Sequence, residues 1–387
     1  MRRALINARV FDGDTIRDGL GVILQDTQVS ALVALDELRD DIERDDLGGA
    51  LLAPGFIDVQ VNGGGGALFN DAPMSATVRA IGEAHRRFGT TGFLPTLITD
   101  SRKTIHDAIN AVTQARKECV PGVLGIHLEG PYLNAARRGV HDATQVREME
   151  ADAVETLTSL RHGTTLVTLA PETVPSGTIR ELVARGVKVA AGHTAAEYAD
   201  IQAALAEGLT GFTHLFNAMT PLNSREPGVV GAALDSVSSW CGLIVDGHHV
   251  HPATLRVAIA AKRPGGMFLV TDAMPPVGSD QASFELHGET ITVQNQRCTN
   301  ADGVLAGSVL DMATAVRNTV ALVGLPLEEA LRMASRYPAD FLGLQRHYGR
   351  IAAGFEADLV LLDDDLRVLR TWIAGDTGAG TDVTAKS

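Results

Sequence analysis

Four side chains capable of acid–base or metal chemistry follow apolar segments with the composition of buried strands. Glu129 ends the apolar segment 123–128, and the Gly-Pro pair after it stops the strand from continuing. His193, His214 and Asp272 end later apolar segments in the same way. A carboxylate at the end of a buried strand is costly unless a charged group or a metal compensates it. The repeated arrangement therefore predicts a functional site built from several strand ends.

The types of these four side chains match those of a catalytic zinc site. One carboxylate and two imidazoles form a ligand set that leaves a position open for water, which predicts Glu129, His193 and His214 as metal ligands. Asp272 is then expected to act as general base and acid beside a water molecule whose pKa zinc lowers to about 7. Taken singly, the residues have plainer interpretations: a salt-bridged glutamate, hydrogen-bonded histidines and an aspartate that caps a loop.

Other polar residues in loops are candidates for substrate contacts. A positioned imidazole at His141, in the loop after the candidate glutamate ligand, could polarise a carbonyl group. Asn217 lies three residues after a candidate ligand, and Arg225, in a loop rich in Pro and Asn, could bind an anion by bidentate contact. We interpret two further loop arginines, Arg137 and Arg138, as solvated.

Alternating strand and helix patterns position these residues. Between residues 52 and 272, eight apolar segments are separated for the most part by helical patterns, an alternation typical of a parallel sheet. Eight such units predict an α/β fold, a TIM-like (β/α)8 barrel with its active site at the carboxyl ends of the strands. The alternative is a doubly wound open sheet, but no Gly-x-Gly-x-x-Gly leads from a strand into a helix, and glycines 63–66 lack that spacing.

Weaker patterns surround the barrel strands. A charge-rich segment, 36–46, predicts a surface loop, and a helix is predicted over 145–162. A hairpin insertion is predicted over 284–293, followed by two closing helices over 310–323 and 327–342.

The two ends of the chain predict a second, smaller domain. Residues 1–52 contain short strand patterns without a helical stripe, and strand composition returns after residue 349. We therefore predict 53–348 as the barrel domain, with 1–52 and 349–387 as two parts of one discontinuous β domain. Residues 376–387, rich in Gly, Thr and Asp, are expected to form a flexible tail.

Composition argues against several classes of protein. The net charge of −14 argues against nucleic acid or an anionic membrane as a main partner. The three cysteines show no CxxC spacing, which indicates a reducing compartment without disulfides. No apolar segment approaches the 18 residues of a membrane span, and the residues after Met1 lack the apolar region of a signal peptide. We expect a cytoplasmic protein.

Five short motifs together resemble the N-acetylglucosamine-6-phosphate deacetylase family, a branch of the amidohydrolase superfamily. They are His-Leu-Glu-Gly-Pro at 127–131, Gly-His-Thr at 192–194, Thr-His-Leu-Phe-Asn-Ala-Met at 213–219, Asp-Gly-His-His-Val at 246–250 and Val-Thr-Asp-Ala at 270–273. The resemblance extends over nearly the whole chain.

The resemblance implies a fold, an assembly and residue roles. It implies a metal-dependent (β/α)8 barrel, a small β-sandwich built from both termini, and a homodimer. Glu129, His193 and His214 would bind the metal, Asp272 would be proton donor and acceptor, and His141 would hydrogen-bond the N-acetyl carbonyl. The implied substrate contacts are Val140, His141, Asn217, Ala218, Arg225 from the partner subunit, Asp246, Gly247, His248, His249, Leu305, Ala306 and Gly307.

One position departs from the wider superfamily. Its first barrel strand usually ends in His-x-His, which binds a second metal, whereas this chain has Gln60-Val61-Asn62. Amide side chains are poor zinc ligands, so we expect one divalent metal ion per subunit, namely zinc.

We therefore predict hydrolysis of N-acetyl-D-glucosamine 6-phosphate to D-glucosamine 6-phosphate and acetate. Two alternatives stay open. Another metal-dependent deacylase would act on N-acetylgalactosamine 6-phosphate or an N-acyl amino acid. A protein of a different class would bind acetylated sugar phosphates as a sensor without turnover, although the presence of Asp272 beside three candidate ligands argues against it.

Overall fold

The computed structural model describes residues 2–378, and its centre is a barrel of eight parallel strands. Neighbouring strands pair in chain order, and a parallel bridge between Val61 and Ala273 brings the first strand against the residues that follow the last one. This confirms the predicted barrel. The strands are Phe56–Val61, Thr90–Ile98, Gly125–Glu129, Thr164–Leu169, Lys188–Ala191, Gly211–Phe212, Trp240–Leu243 and Met267–Leu269.

Helices cover the outside of the barrel. The first, Ser75–Arg86, buries Val78 and Ile81 at a spacing that places both on one helix face. The second, Arg102–Lys117, begins after an N-cap serine, Ser101. The other α-helices are Ala153–Leu157, Thr178–Ala184, Tyr198–Glu207, Gly228–Asp235, Pro252–Ala261, Met312–Asn318, Leu327–Ala334 and Arg336–Leu342. Short 3-10 helices lie at Leu35–Glu37, Ala135–Arg137 and Pro171–Thr173, and a π-helix at Thr319–Val323.

The two ends of the chain form two further sheets. One sheet has the strand order Gln28–Ala34, Leu20–Gln25, Arg2–Ile6, Glu43–Asp46, and the other has the order Val368–Trp372, Leu359–Leu362, Leu51–Pro54, Arg9–Phe11, Ile16–Arg17. Leu5 and Leu24 of the first sheet share one buried cluster with Leu52, Leu359 and Trp372 of the second. Such a shared core is typical of sheet-on-sheet packing. The domain boundaries given above stay a prediction.

An antiparallel sheet of four strands is inserted after the last barrel strand. Its strands are Ser283–Leu286, Glu289–Gln294, Arg297–Thr299 and Leu305–Ser308. The backbone N–H of Ser308 donates to the carbonyl of Asp272, and that of Met274 donates to the carbonyl of Ser308, both at 2.9 Å. The predicted hairpin is therefore part of a larger sheet, which we call the inserted sheet, and its last strand is fixed against the end of the barrel.

Two local predictions are wrong. Of the helix predicted over 145–162 only Ala153–Leu157 forms, because side chains bind the preceding segment to its surroundings. Arg147 Nη1 donates to the carbonyl of Asp100 at 2.9 Å, and Tyr132 donates to Glu150 at 2.7 Å; such bonds compete with helix formation.

The charge-rich segment 36–46 is the second correction. It ends in a strand, Glu43–Asp46, paired in parallel with Arg2–Ile6. This strand lies at the sheet edge, where charged side chains are favoured because they discourage pairing with other chains. Its composition is therefore that of an edge strand.

Within residues 2–378, no helix combines the length and the apolar character that a membrane crossing requires. The predicted flexible tail falls largely on residues 379–387, which lie outside the described residues.

Candidate active site

Three buried side chains meet at the carboxyl ends of the third, fifth and sixth barrel strands. Glu129 Oε1 lies 3.2 Å from His193 Nε2 and 3.0 Å from His214 Nε2. The two imidazole nitrogens are 3.1 Å apart. Within the described part of the chain, this is the one cluster of three or more His, Cys, Asp or Glu side chains whose donor atoms converge on one point. The three predicted ligands therefore do come together.

The backbone at these strand ends is unusual. His193, His214 and Asp272 have φ values of 48°, 30° and 52°, in the left-handed region that residues with a Cβ rarely adopt. Residues held in this region cost stability and cluster at active sites and ligand sites. Three such residues around one point indicate that the fold holds their side chains in a fixed functional arrangement.

The donor set fits a divalent metal ion. His193 Nδ1 lies 2.9 Å from the carbonyl of Arg137 and can donate to it, which leaves Nε2 of the neutral ring free to bind a metal ion. Metal-binding histidines typically use their other ring nitrogen in this way. Burial would raise the pKa of Glu129, but the imidazoles of His193 and His214, which hydrogen-bond to it when they are protonated, hold it well below the usual range. The carboxylate is therefore ionised, as a ligand must be.

Two amides connect the metal site to Asp272. Asn62 Nδ2 donates to Asp272 Oδ1 at 2.7 Å. Gln60 Nε2 lies 3.2 Å from the same oxygen and 3.1 Å from Glu129 Oε2. Burial, and then the charge of Glu129, raise the pKa of Asp272 above its usual value. A carboxylate with a raised pKa is better suited to accept and return a proton near neutral pH.

His141 is held as a neutral hydrogen-bond donor. Burial, followed by the charge of His193, holds the pKa of His141 well below its usual value. Its Nδ1 accepts from the backbone N–H of Thr99 at 3.3 Å and lies 2.8 Å from the Thr99 hydroxyl. Because a backbone N–H can only donate, the ring proton of neutral His141 lies on Nε2. The residue can therefore donate to a substrate carbonyl.

Asp246 positions His249 by a local hydrogen-bond network. Asp246 Oδ2 accepts from His249 Nδ1 at 2.6 Å. Its Oδ1 accepts from the backbone N–H groups of His248 at 2.8 Å and His249 at 2.9 Å. The arrangement fixes the His249 ring and leaves Nε2 as the ring nitrogen available to a ligand.

These side chains open into a pocket of about 510 Å³. The predicted site residues that line it are Glu129, Val140, His141, His193, His214, Asn217, Ala218, His249, Asp272, Leu305 and Gly307. A larger cleft of about 690 Å³ lies along the helix Ser75–Arg86, but it contains none of the convergent ligands and is not the candidate active site.

Five predicted contacts do not line this pocket within one subunit. Asp246 lies behind His249, and Ala306 is buried in the core of the inserted sheet. Gly247 and His248 are exposed outside the pocket. The fifth, Arg225, is exposed on its loop, so its contribution to the site of a partner subunit stays a prediction.

Sequence reasoning missed two residues beside the site, Thr99 and Arg297, and interpreted a third, Arg137, only as solvated. Thr99, which fixes the His141 ring, directly follows the second barrel strand and belongs to no distinctive motif. Arg137, in the loop after Glu129, lines the pocket, which its interpretation as a solvated loop arginine did not anticipate. Arg297 also lines the pocket, but it lies in the inserted sheet and outside all five motifs.

Two family models together match almost the whole chain. The model described as "Amidohydrolase family" matches residues 51–378, and the model described as "NagA composite domain" matches residues 3–52. The second match falls on the strands of the N-terminal sheets.

Characterised relatives and solved structures agree with these matches. The chain is 47% identical over 328 residues to the N-acetylgalactosamine-6-phosphate deacetylase of Shewanella sp. (strain ANA-3), covering 84% of this chain and 82% of the relative. It is 38% identical over 354 residues to the N-acetylglucosamine-6-phosphate deacetylase of Bos taurus, covering 88% and 86%. The crystal structure of N-acetylglucosamine-6-phosphate deacetylase from Pasteurella multocida matches with a TM-score of 0.94 at 34% identity, covering 97% of this chain and 99% of that chain. The resemblance drawn from the motifs is confirmed, and the chain belongs to the amidohydrolase family.

Proposed function

We propose that the protein hydrolyses N-acetyl-D-glucosamine 6-phosphate to D-glucosamine 6-phosphate and acetate in amino-sugar catabolism or recycling. The observation that carries the proposal is the convergence of Glu129, His193 and His214 beside Asp272 in an open pocket. Named deacetylases of acetylated amino-sugar 6-phosphates match the chain over most of its length.

The proposed cofactor is one zinc ion per subunit, held by Glu129, His193 and His214. Such an ion supplies Lewis-acid polarisation of the acetyl carbonyl and lowers the pKa of a water molecule. The contacts of Gln60 and Asn62 support a single ion, because both amides donate to carboxylates of the site.

Asp272 moves the proton in the proposed reaction. Its carboxylate accepts a proton from the attacking water as the water oxygen bonds to the acetyl carbon. It then delivers this proton to the amide nitrogen as the C–N bond breaks, which releases the free amine and acetate. Asn62 holds Oδ1 of Asp272 during both steps, so Oδ2 is the oxygen assigned to the transfer.

His141 stabilises the negative charge that develops on the carbonyl oxygen. Its neutral ring presents Nε2–H, since Thr99 occupies Nδ1. A donor fixed before the reaction needs no reorganisation as charge develops, which is the main source of such stabilisation.

Residues of the sixth and seventh strand ends are assigned to the sugar phosphate. Asn217, Ala218 and His249 line the pocket, and Asp246 holds the His249 ring in place. Arg225 of a partner subunit is proposed to complete the contact, which makes the protein a homodimer.

The predicted domain division and a cytoplasmic location belong to the same proposal. All three cysteines are free, and Cys241 and Cys298 are buried, which suits a reducing compartment.

The galacto epimer is the second candidate substrate. The relative at 47% identity carries the name N-acetylgalactosamine-6-phosphate deacetylase, whereas the relative at 38% carries the gluco name. The ligand set acts on the acetamide in either case, so it does not distinguish the two epimers.

Acetate release tests the proposal directly. Zinc-loaded protein is assayed with both N-acetylhexosamine 6-phosphates and with unphosphorylated N-acetylglucosamine. A higher kcat/KM for the gluco 6-phosphate than for the other two supports the proposal, and a higher value for the galacto epimer selects the second candidate. Absence of acetate from all three would overturn both and leave N-acyl amino acids and the sensor alternative.

A further inference from the structure

Two guanidinium groups without partners line the candidate active site. Among the described residues, the side chains of Arg137 and Arg297 have no hydrogen bond and no ion pair, and both line the pocket of about 510 Å³. Most arginine side chains of this acidic chain do bind a carboxylate or a backbone carbonyl. A guanidinium left unpaired beside a pocket is available to an anionic ligand.

The inserted sheet places Arg297 at the pocket. Arg297 begins the strand Arg297–Thr299 and pairs with Ser308 of the neighbouring strand. Successive side chains of a strand point to opposite faces: Cys298 is fully buried in the core beneath the sheet, whereas Arg297 is exposed on the other face.

The strand that carries this pairing is tied to the catalytic strand end. Ser308 exchanges backbone hydrogen bonds with Asp272 and Met274, each at 2.9 Å, and its hydroxyl donates to the carbonyl of Thr271 at 2.6 Å. The inserted sheet therefore holds the backbone of Arg297 at a fixed position relative to Asp272, as a residue that determines specificity requires.

The two arginines belong to different parts of the pocket. The backbone of Arg137 accepts the hydrogen bond of His193 Nδ1, which places this residue in the loop over the metal ligands. Arg297 instead comes from the inserted sheet. In an N-acetylhexosamine 6-phosphate the acetamide and the phosphate are on different carbons of the sugar, so one pocket must bind both ends. The arginine outside the ligand loop suits the phosphate end.

We propose that Arg297 is a specificity-determining residue that binds the substrate's 6-phosphate within its own subunit. This proposal rests on the proposed function and adds a phosphate contact from the inserted sheet to those from the barrel loops. A planar guanidinium can bind two phosphate oxygens at once, which a lysine cannot.

The test compares Arg297→Ala, Arg297→Lys and a matched control, Arg161→Ala. Arg161 is an exposed arginine outside the pocket, so its replacement changes the net charge equally. For each zinc-loaded enzyme, kcat/KM is measured with N-acetylglucosamine 6-phosphate and with N-acetylglucosamine. Binding of glucose 6-phosphate and of glucose is measured by calorimetry, because these sugars have no acetamide and report phosphate binding without turnover.

We expect Arg297→Ala to lower kcat/KM for the phosphorylated substrate by about 10- to 100-fold, the range for a hydrogen-bonded charged group. Activity on unphosphorylated sugar should stay unchanged, glucose 6-phosphate should bind more weakly, and Arg297→Lys should recover part of both losses. Equal losses on both substrates, or no loss, would overturn the proposal. If the parent enzyme releases no acetate, the proposed function fails, but the phosphate contact can still be tested by calorimetry. Weaker binding of glucose 6-phosphate by Arg297→Ala would then support the contact, and unchanged binding would overturn it.

Discussion

Replacement of Asp272 by asparagine separates the proposed proton-transfer role of this side chain from its structural role. The carboxamide has nearly the same volume, and its oxygen can still accept the hydrogen bond that Asn62 donates at 2.7 Å. The proton-accepting carboxylate is lost, whereas Glu129, His193 and His214 keep their mutual contacts. We therefore expect metal binding and folding to survive and catalysis to fail.

The size of the loss follows from the two steps assigned to Asp272. A positioned general acid or base contributes about 10²- to 10⁴-fold, or about 3–5 kcal/mol of activation free energy. The same carboxylate accepts the proton from water and returns it to the amine, so both steps fail together. We expect kcat/KM to fall by about 10⁴-fold, near the upper end of the range.

The assay measures acetate release, zinc per subunit and the unfolding midpoint for parent, Asp272→Asn and a control, Asp280→Asn. Asp280 is exposed, outside the pocket, and undergoes the same chemical change. The control should match the parent in all three measurements. A variant at position 272 that keeps more than a tenth of the parent's kcat/KM with full zinc content would refute the assigned role.

Four further predictions concern the surroundings of this residue and the smaller domain. Glu129→Gln removes the charge that two imidazoles share and should lower zinc per subunit, measured by elemental analysis, by at least half. His141→Ala removes the carbonyl donor and should lower kcat by about 10²- to 10³-fold, with zinc content unchanged; an equal loss of zinc would assign His141 to the metal instead. Asp246→Asn weakens the hydrogen bond that holds the His249 ring and should raise KM for the phosphorylated substrate more than it lowers kcat. A larger effect on kcat than on KM would contradict a binding role for His249. Burial raises the pKa of Asp358 to about 7, so the folded protein holds a proton at this group that the unfolded chain has released. The contribution of Asp358 to the free energy of unfolding should therefore fall between about pH 4 and pH 7, by at most about 4 kcal/mol. Asp358→Asn should remove this part of the pH dependence in urea titrations at several pH values.

The barrel and the convergence of three candidate metal ligands are the parts that the sequence predicts well. Four of the short apolar strand segments are followed by a residue able to do chemistry, namely Glu129, His193, His214 or Asp272, and the carboxyl ends of parallel strands meet on one side of a barrel. This geometry alone brings Glu129, His193 and His214 together, so their contact follows from the order of strands and needs no knowledge of loop structure.

The sequence fails where long-range contacts decide the local structure. Segment 145–152 has a helical pattern, but Arg147 and Glu150 bind to residues earlier in the chain, and no local rule contains those partners. Thr99 and Arg297 owe their places at the site to the second barrel strand and the inserted sheet. Neither residue belongs to a motif, so the sequence gives no sign of its role. Only the folded backbone brings the two residues to the site.

The left-handed backbone at His193, His214 and Asp272 restricts how the chain can change over evolutionary time. Each of these conformations costs about 1–3 kcal/mol in a residue that has a Cβ, whereas glycine adopts it freely. Selection for turnover therefore keeps three positions away from their most stable residue. A homologue that is no longer selected for turnover should accept glycine at these positions and gain thermal stability as it loses activity. Inactive homologues with this barrel should therefore unfold at higher temperatures than active ones.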